Sequence, residues 1–208
     1  MLFVAALMSA AKGKGKTRNR AVKEQALIEA ATKLFAAQGY ESTKTREIAA
    51  LAGCAEGLIH RYFKGKAGLL LAIVQSRVSQ EVADISAQVP LADSLEDEIR
   101  QLVRWEVERM WSDRDFLKIV MPRALLDPAI GRVVNRMGPE RRCQIISARL
   151  RTFKKSKNLL AEDIRAIAEF VGSVGYLFGF LRPVLLQQDR KLCRQTADSI
   201  TDILIRSL

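Results

Sequence analysis

The sequence predicts an all-α protein, built as a small N-terminal three-helix head followed by a larger helical body. Three observations carry that expectation. Apolar residues recur at helical spacing along the chain, at i, i+3, i+4 and i+7, instead of alternating. Five prolines and twelve glycines are too few to punctuate a strand-and-turn protein, and long Ala-, Leu-, Ile-, Arg- and Glu-rich runs favour helix. At 208 residues the chain is long enough for a sizeable core, as one large domain or as a small one plus a larger one. The expected division is a flexible basic tail over 1–19, a head over 20–66 and a body over 67–208.

The N-terminus opens on MLFVAALM, an apolar stretch that precedes the basic run. A secretory signal has its positive charge first, so Met1–Leu7 reads as an upstream extension and Met8 as an alternative start. Residues 9–23 then hold six basic residues and no acid. This is a solvated arm that can add sequence-independent phosphate contacts beside a nucleic-acid reader. The first helix is expected from Arg20 to Gln38. Leu27, Ala31, Leu34 and Phe35 form one apolar stripe along it, and Gly39 ends it.

The stretch Thr45–Lys66, TREIAALAGCAEGLIHRYFKGK, reads as a helix-turn-helix. Thr45 is the expected N-cap, with Glu47 in the first turn where the helix dipole favours negative charge. Ile48, Ala49 and Ala52 give a short helix one apolar edge. Gly53 supplies the positive φ that a tight corner needs. A second helix, Glu56–Phe63, carries Leu58, Ile59, Tyr62 and Phe63. The paired small residues Ala49 and Gly53 are the specific part of the pattern, together with the flanking Lys44, Arg46, Arg61, Lys64 and Lys66. In such a motif the second helix enters the major groove and presents its N-terminal residues to base edges. Here those are Ala55, Glu56, Gly57 and Leu58, with His60 and Arg61 on the next turn. Arg61 suits a bidentate contact to guanine. Glu56 repels phosphate unless it accepts from a cytosine amino group. Thr43, Lys44, Thr45 and Arg46 stand where hydroxyls and backbone N–H groups meet phosphate.

Over about residues 24–74 the chain closely resembles the N-terminal domain of the TetR family of bacterial transcription regulators. The resemblance rests on Ala30–Ala31, Leu34–Phe35, Gly39–Tyr40, Thr43, Thr45, Ile48–Ala49, Ala52–Gly53, Gly57, Tyr62–Phe63, Lys66 and Leu69–Leu70. It implies a homodimer on near-palindromic double-stranded DNA, with a variable ligand-binding domain behind the head. It also implies that Tyr62 and Lys66 clamp phosphate. Two departures stand out: Ala55 replaces the usual Ser or Thr cap, and His60 replaces the usual Tyr.

The body begins with a helix from Lys66 through Leu69, Leu70, Ile73, Val74, Val78, Val82 and Ile85, stopped by Pro90. Further helices are expected over Ser94–Trp111, over Asp115–Leu126 with a kink at Pro122, and from Asp127-Pro128 through Met137. The next follows Gly138-Pro139 and runs to Lys155. Ala161–Leu181 and Asp189–Ser207 finish the chain, separated by Arg182-Pro183. Trp105, Met110, Trp111, Phe116, Met121, Phe153 and Tyr176 are the expected lining of a cavity for an unknown, apolar small-molecule effector. Phe170, Val174, Leu177, Phe178 and Leu181 form one dimer face, with Gly172, Ser173, Gly175 and Gly179 allowing close approach. Ile200, Ile203 and Leu204 form its mate. Arg141, Arg142, Arg149, Arg151, Lys154, Lys155 and Lys157 read as a solvated basic face.

The formal net charge of +11, of which +7 lies within residues 1–66, fits a polyanionic partner. Cys54, Cys143 and Cys193 are odd in number and lack metal-ligand spacing, which points to a reducing cytoplasm. A single histidine leaves no multi-histidine metal site, and no nucleophile–base pair or phosphate loop is present. Hence no metal, cofactor or catalytic residue is expected, and neither is a membrane partner. The expected function is that of a sequence-specific regulator, a repressor by analogy. The alternatives are a non-specific architectural DNA binder and a helical ligand-binding protein with no DNA role.

Overall fold

The computed structural model describes residues 2–208, with the side chains of 2–18, 78–84 and 86 excepted. Among the described residues the backbone is mostly helical, with no strand, and it forms two compact units, 1–73 and 74–208. The division falls within a helix instead of at its start.

The first unit holds α1 (Leu2–Gln38), α2 (Thr45–Leu51), α3 (Gly57–Phe63) and the opening turns of α4 (Lys66–Gln88). Helix α1 therefore begins well before Arg20, and its backbone includes the segment expected as a tail; the side chains of the expected arm up to residue 18 lie outside the described ones. Leu27, Ala30, Ala31 and Phe35 of α1 are buried, as are Ile48 and Ala49 of α2 and Ile59 of α3; α1 packs on α2, and α2 on α3. Gly39, Gly53 and Gly65 all have positive φ, of 84°, 61° and 109°. At the α3–α4 join Gly68 is required by space: a Cβ there would stand 1.6 Å from the Phe63 carbonyl oxygen.

The second unit is organised on α9 (Ala161–Tyr176), which packs against α5 (Leu95–Ser112) and α8 (Arg141–Leu150), while α10 (Arg190–Arg206) packs on α5. Ser94 caps α5 by accepting from the Asp97 N–H at 3.1 Å, and Asp189 caps α10 by accepting from Leu192 at 2.8 Å. Asp127 caps α7 (Pro128–Asn135), with Pro128 in its first turn; α6 (Arg114–Leu126) precedes it with Pro122 inside. Ile99, Leu102, Ile146, Leu150 and Val171 are fully buried at the centre. Val78 and Val82, expected on the stripe of α4, lie outside the described side chains.

Two expected breaks are bridged. Gly138-Pro139 sits in a π turn, Arg136–Glu140, that joins α7 to α8 without interruption. Likewise α9 continues as a π-helix, Leu177–Leu185, straight through Arg182-Pro183. Proline lacks the N–H and its ring clashes with the carbonyl four residues back in an α-helix, a clash that a wide turn relieves. The continuous run Ala161–Leu185 is long and apolar enough, by length and composition, to cross a bilayer, and half of its most apolar window is buried inside the protein. Helix α8 in turn ends at Leu150, short of the expected Lys155, and a 3-10 turn follows at Lys155–Asn158.

A buried ionic network ties the end of α4 to α5 and α8. Glu98, fully buried, accepts from Arg149 Nε at 2.7 Å, Gln101 Nε2 at 2.5 Å and the Ala92 N–H at 3.0 Å. Arg149 also donates to the Val89 carbonyl at 2.8 Å and the Pro90 carbonyl at 3.3 Å. Its guanidinium satisfies carbonyls left open where α4 ends. Three of the seven residues read as a solvated basic face are thus committed to carboxylates: Arg149 to Glu98, Arg142 to Glu106 and Lys155 to Glu96. Arg141, Arg151, Lys154 and Lys157 remain exposed.

Candidate nucleic-acid interface and cavity

Helix α2 is not capped by Thr45. Lys44 is the N-cap, with extended backbone at φ −95° and ψ 145°, and Glu47 reaches back to accept from the Lys44 N–H at 3.0 Å. That bond, and a second from Gln38 Nε2 at 2.9 Å, hold the Glu47 carboxyl below its ordinary pKa. Thr45 is the first helical residue, and its hydroxyl donates to Glu56 Oε1 at 2.5 Å. Glu56, not Ala55, stands at the N-cap of α3.

Two of the expected phosphate contacts are turned inward. Thr43 is 1 % exposed; its hydroxyl donates to the Gly39 carbonyl at 2.7 Å and accepts from Gln38 at 3.3 Å. Lys66 Nζ donates to the carbonyls of Tyr40, Thr43 and Glu41 at 2.8, 3.2 and 3.3 Å, and lies 4.3 Å from the centre of the Tyr40 ring. An ammonium has three protons, and here carbonyl oxygens of the α1–α2 corner use them. Both residues build the corner instead of clamping phosphate.

The remaining set is displayed. Lys44, Arg46, Ala55, Glu56, Gly57, His60 and Arg61 are exposed, and Thr45, Leu58 and Tyr62 are half-buried. Arg20 of α1 lies over the Tyr62 ring at 5.1 Å, so α1 steadies the far end of α3. Lys64 closes α3 in a left-handed conformation, φ 62°, and is exposed too; its place beside the glycine of Lys64-Gly65-Lys66 was the signal for it. The exposed surface of α3 and the start of α2 is therefore cationic at Lys44, Arg46, Arg61 and Lys64, with one carboxylate, Glu56, among them.

The second unit encloses a cavity of about 430 Å³, within the roughly 300–1,000 Å³ usual for small-molecule sites. Met110, Phe116, Met121 and Tyr176 line it, with Leu117, Val120 and Val134. Trp105, Trp111 and Phe153 do not. Phe153 packs on the main core, Trp105 is overlain by Arg109 at 5.4 Å, and Trp111 lies between Arg114 at 4.9 Å and Arg190 at 4.5 Å. Guanidinium groups cover both indoles, which removes them from the cavity wall. Backbone missed by the sequence reading contributes instead: Gly131, Gly138, Pro139 and Gly172 all face the space.

One wall of the cavity is ionic. Glu106, fully buried, binds Arg142 Nε at 2.9 Å and Arg109 Nη2 at 2.8 Å; Arg109 Nη1 lies 3.3 Å from Asp113, which meets Arg77 at 3.7 Å. Arg109, Asp113 and Arg142 line the space, and so do Glu169, Ser173 and Cys143. Burial and the neighbouring Glu169 raise the Cys143 thiol above its ordinary pKa, and burial raises the Tyr176 phenol likewise.

The expected dimer faces are partly consumed within the chain. Val174 and Phe178 are 6 % and 2 % exposed and belong to the central core. Gly175 and Gly179 face α5, not a partner: a Cβ on Gly179 would stand 2.3 Å from the Val107 carbonyl oxygen, and one on Gly175 2.6 Å from Glu106 Cβ. Phe170, Leu177, Leu181, Ile200 and Leu204 are half-buried, and Ile203 is exposed.

Residues 27–73 match the model of the bacterial regulatory proteins of the tetR family. An HTH-type transcriptional regulator of Bacillus subtilis, YuxN, is 30% identical over 104 residues, which span 50% of this chain and 36% of that protein. Among solved structures, a protein of Mesorhizobium loti described as a TetR-family transcriptional regulator superposes with a TM-score of 0.75 at 21% identity, over 90% of this chain and 97% of that one. The Bacillus subtilis regulator FadR, solved with stearoyl-CoA, superposes at 0.64 with 16% identity, over 88% and 98%. A two-unit helical fold, a short exposed helix after a glycine corner and the matched residues 27–73 lead to one assignment: over residues 27–73 the chain carries the N-terminal domain of the tetR family of bacterial regulatory proteins, and the rest shares the fold of the solved structures.

Proposed function

We propose that the protein is a ligand-responsive transcriptional regulator that binds a near-palindromic DNA duplex as a homodimer. The observation that carries this reading is the exposure of His60 and Arg61 on α3 together with that of Lys44 and Arg46 at the start of α2. A helix of seven residues, exposed on that side and held by a buried Ile59 on the other, fits the major groove. Residues 20–66 act as the reading head and 67–208 as the effector and dimer body. The half-buried Phe170, Leu177, Leu181, Ile200 and Leu204, with exposed Ile203, supply the apolar surface for a second copy.

The effector is an apolar small molecule held in the 430 Å³ cavity. The stearoyl-CoA of FadR supports a ligand with an apolar body in this fold. Repression is favoured over activation by analogy. The work is done in a reducing cytoplasm, consistent with three free cysteines. Selection of bound fragments from random duplexes tests the reading. The wild-type protein should retain one near-palindromic consensus as a dimer, and Arg61→Ala should lose it while staying folded and dimeric. A monomer that binds every duplex alike would overturn the proposal.

A further inference from the structure

We infer that Glu56 reads a cytosine amino group in each half-site, and that Thr45 positions its carboxylate for the task; this rests on the DNA-reading assignment of α3. The observation is the bond from Thr45 Oγ1 to Glu56 Oε1 at 2.5 Å, which spans eleven residues and joins the first residue of α2 to the N-cap of α3. An exposed glutamate ordinarily samples many rotamers. This one is pinned, at the end of the helix that faces base edges in such a motif. The bond engages one carboxylate oxygen and leaves Oε2 for an outside donor.

The chemistry of the groove then narrows the partner. A carboxylate only accepts, and the donors on major-groove edges are the amino groups of cytosine and adenine. Adenine sets its N7 acceptor beside that amino group, which repels a carboxylate; cytosine does not. Guanine offers O6 and N7, thymine offers O4, and both are refused. Lys44, Arg46 and Arg61, exposed on the same helix pair as Glu56, offset its repulsion from the phosphate rims. Thr45 is a positioning residue here: its hydroxyl is spent on Glu56 and not on phosphate.

The test is fragment selection with the full chain, comparing wild type with Glu56→Gln, Thr45→Val and Thr45→Ser. In the wild type one symmetric position should be cytosine, preferred by roughly 5- to 150-fold over other bases. In Glu56→Gln that position alone should move towards adenine, since an amide can both donate to N7 and accept from the amino group. Thr45→Val should weaken the preference at that position only, and Thr45→Ser should restore it. A wild-type consensus that Glu56→Gln leaves unchanged, or alters evenly at all positions, overturns the role of Glu56. Absence of any wild-type consensus overturns the DNA-reading assignment as well, so the two failures are distinguishable.

Discussion

Replacing Gly179 with alanine should loosen the contact between α5 and the π-helical continuation of α9. The added Cβ would stand 2.3 Å from the Val107 carbonyl oxygen and 2.7 Å from Met110 Cβ, where ordinary contact begins at 3.4 Å. The backbone oxygen cannot rotate away, so the two segments must part by about 1 Å. Overpacking of this kind costs about 1–3 kcal/mol, and the better helix propensity of alanine returns about 1 kcal/mol. The net loss of up to about 2 kcal/mol should lower Tm by up to about 8 °C in a chain of this size. Gly172→Ala is the internal comparison: nothing lies within 4 Å of its Cβ, so it should gain up to about 1 kcal/mol. Urea unfolding followed by tryptophan fluorescence suits the question, because both tryptophans, Trp105 and Trp111, lie on α5. The midpoint should fall for Gly179→Ala at constant m. A Gly179→Ala protein as resistant to urea as Gly172→Ala would show that the close approach of α5 is misassigned.

Three further outcomes follow from the same contacts. Arg149→Met leaves the buried Glu98 without its cation and should cost about 3–5 kcal/mol, much of it recovered when Glu98→Gln is added; equal and additive losses in a thermal melt would deny the pair its coupling. Lys66→Ala should lower thermal stability by about 1–3 kcal/mol yet leave the salt dependence of DNA binding alone, whereas Arg46→Ala should reduce the slope by about 0.9; a slope that drops for Lys66→Ala returns that ammonium to the phosphate backbone. Cys143 and Cys193 are buried, and burial raises the pKa of both thiols, so a maleimide at neutral pH should label the half-exposed Cys54 first and all three only in denaturant. Rapid labelling of Cys143 in the folded protein would mean that the cavity admits the reagent.

Much of the head was legible because its signals are local. The α1 stripe, the Gly53 corner and the exposed basic residues of α3 are set by spacing within about forty residues, and the structure buries Leu27, Phe35, Ile48 and Ile59 accordingly. What spacing does not carry is the choice among partners for a versatile group. Lys66 suits a phosphate as well as three carbonyls, and only the return of α4 beside the α1–α2 corner decides between them. The body was legible as helices, and three of the expected starts, Ser94, Asp127 and Asp189, turn out to be side-chain caps. Its cavity was half legible. Met110, Phe116, Met121 and Tyr176 face the space, but the tryptophans were misjudged because their guanidinium covers come from Arg109, Arg114 and Arg190. Val174 and Phe178 looked like surface for a second copy because apolarity alone does not say which neighbour covers it; the glycine after each, Gly175 and Gly179, admits α5 of the same chain.

The π-helical stretch Leu177–Leu185 has a consequence for chain length. A wide turn accommodates one residue more than an α-turn, so side chains beyond it are carried round the axis by about 100° relative to a regular helix. Phe180, three residues into the stretch, packs with Met110 and Leu117. Deleting Gly179, just ahead of Phe180, would turn that side chain by about 100° away from Met110 and Leu117, although no apolar side chain had been exchanged.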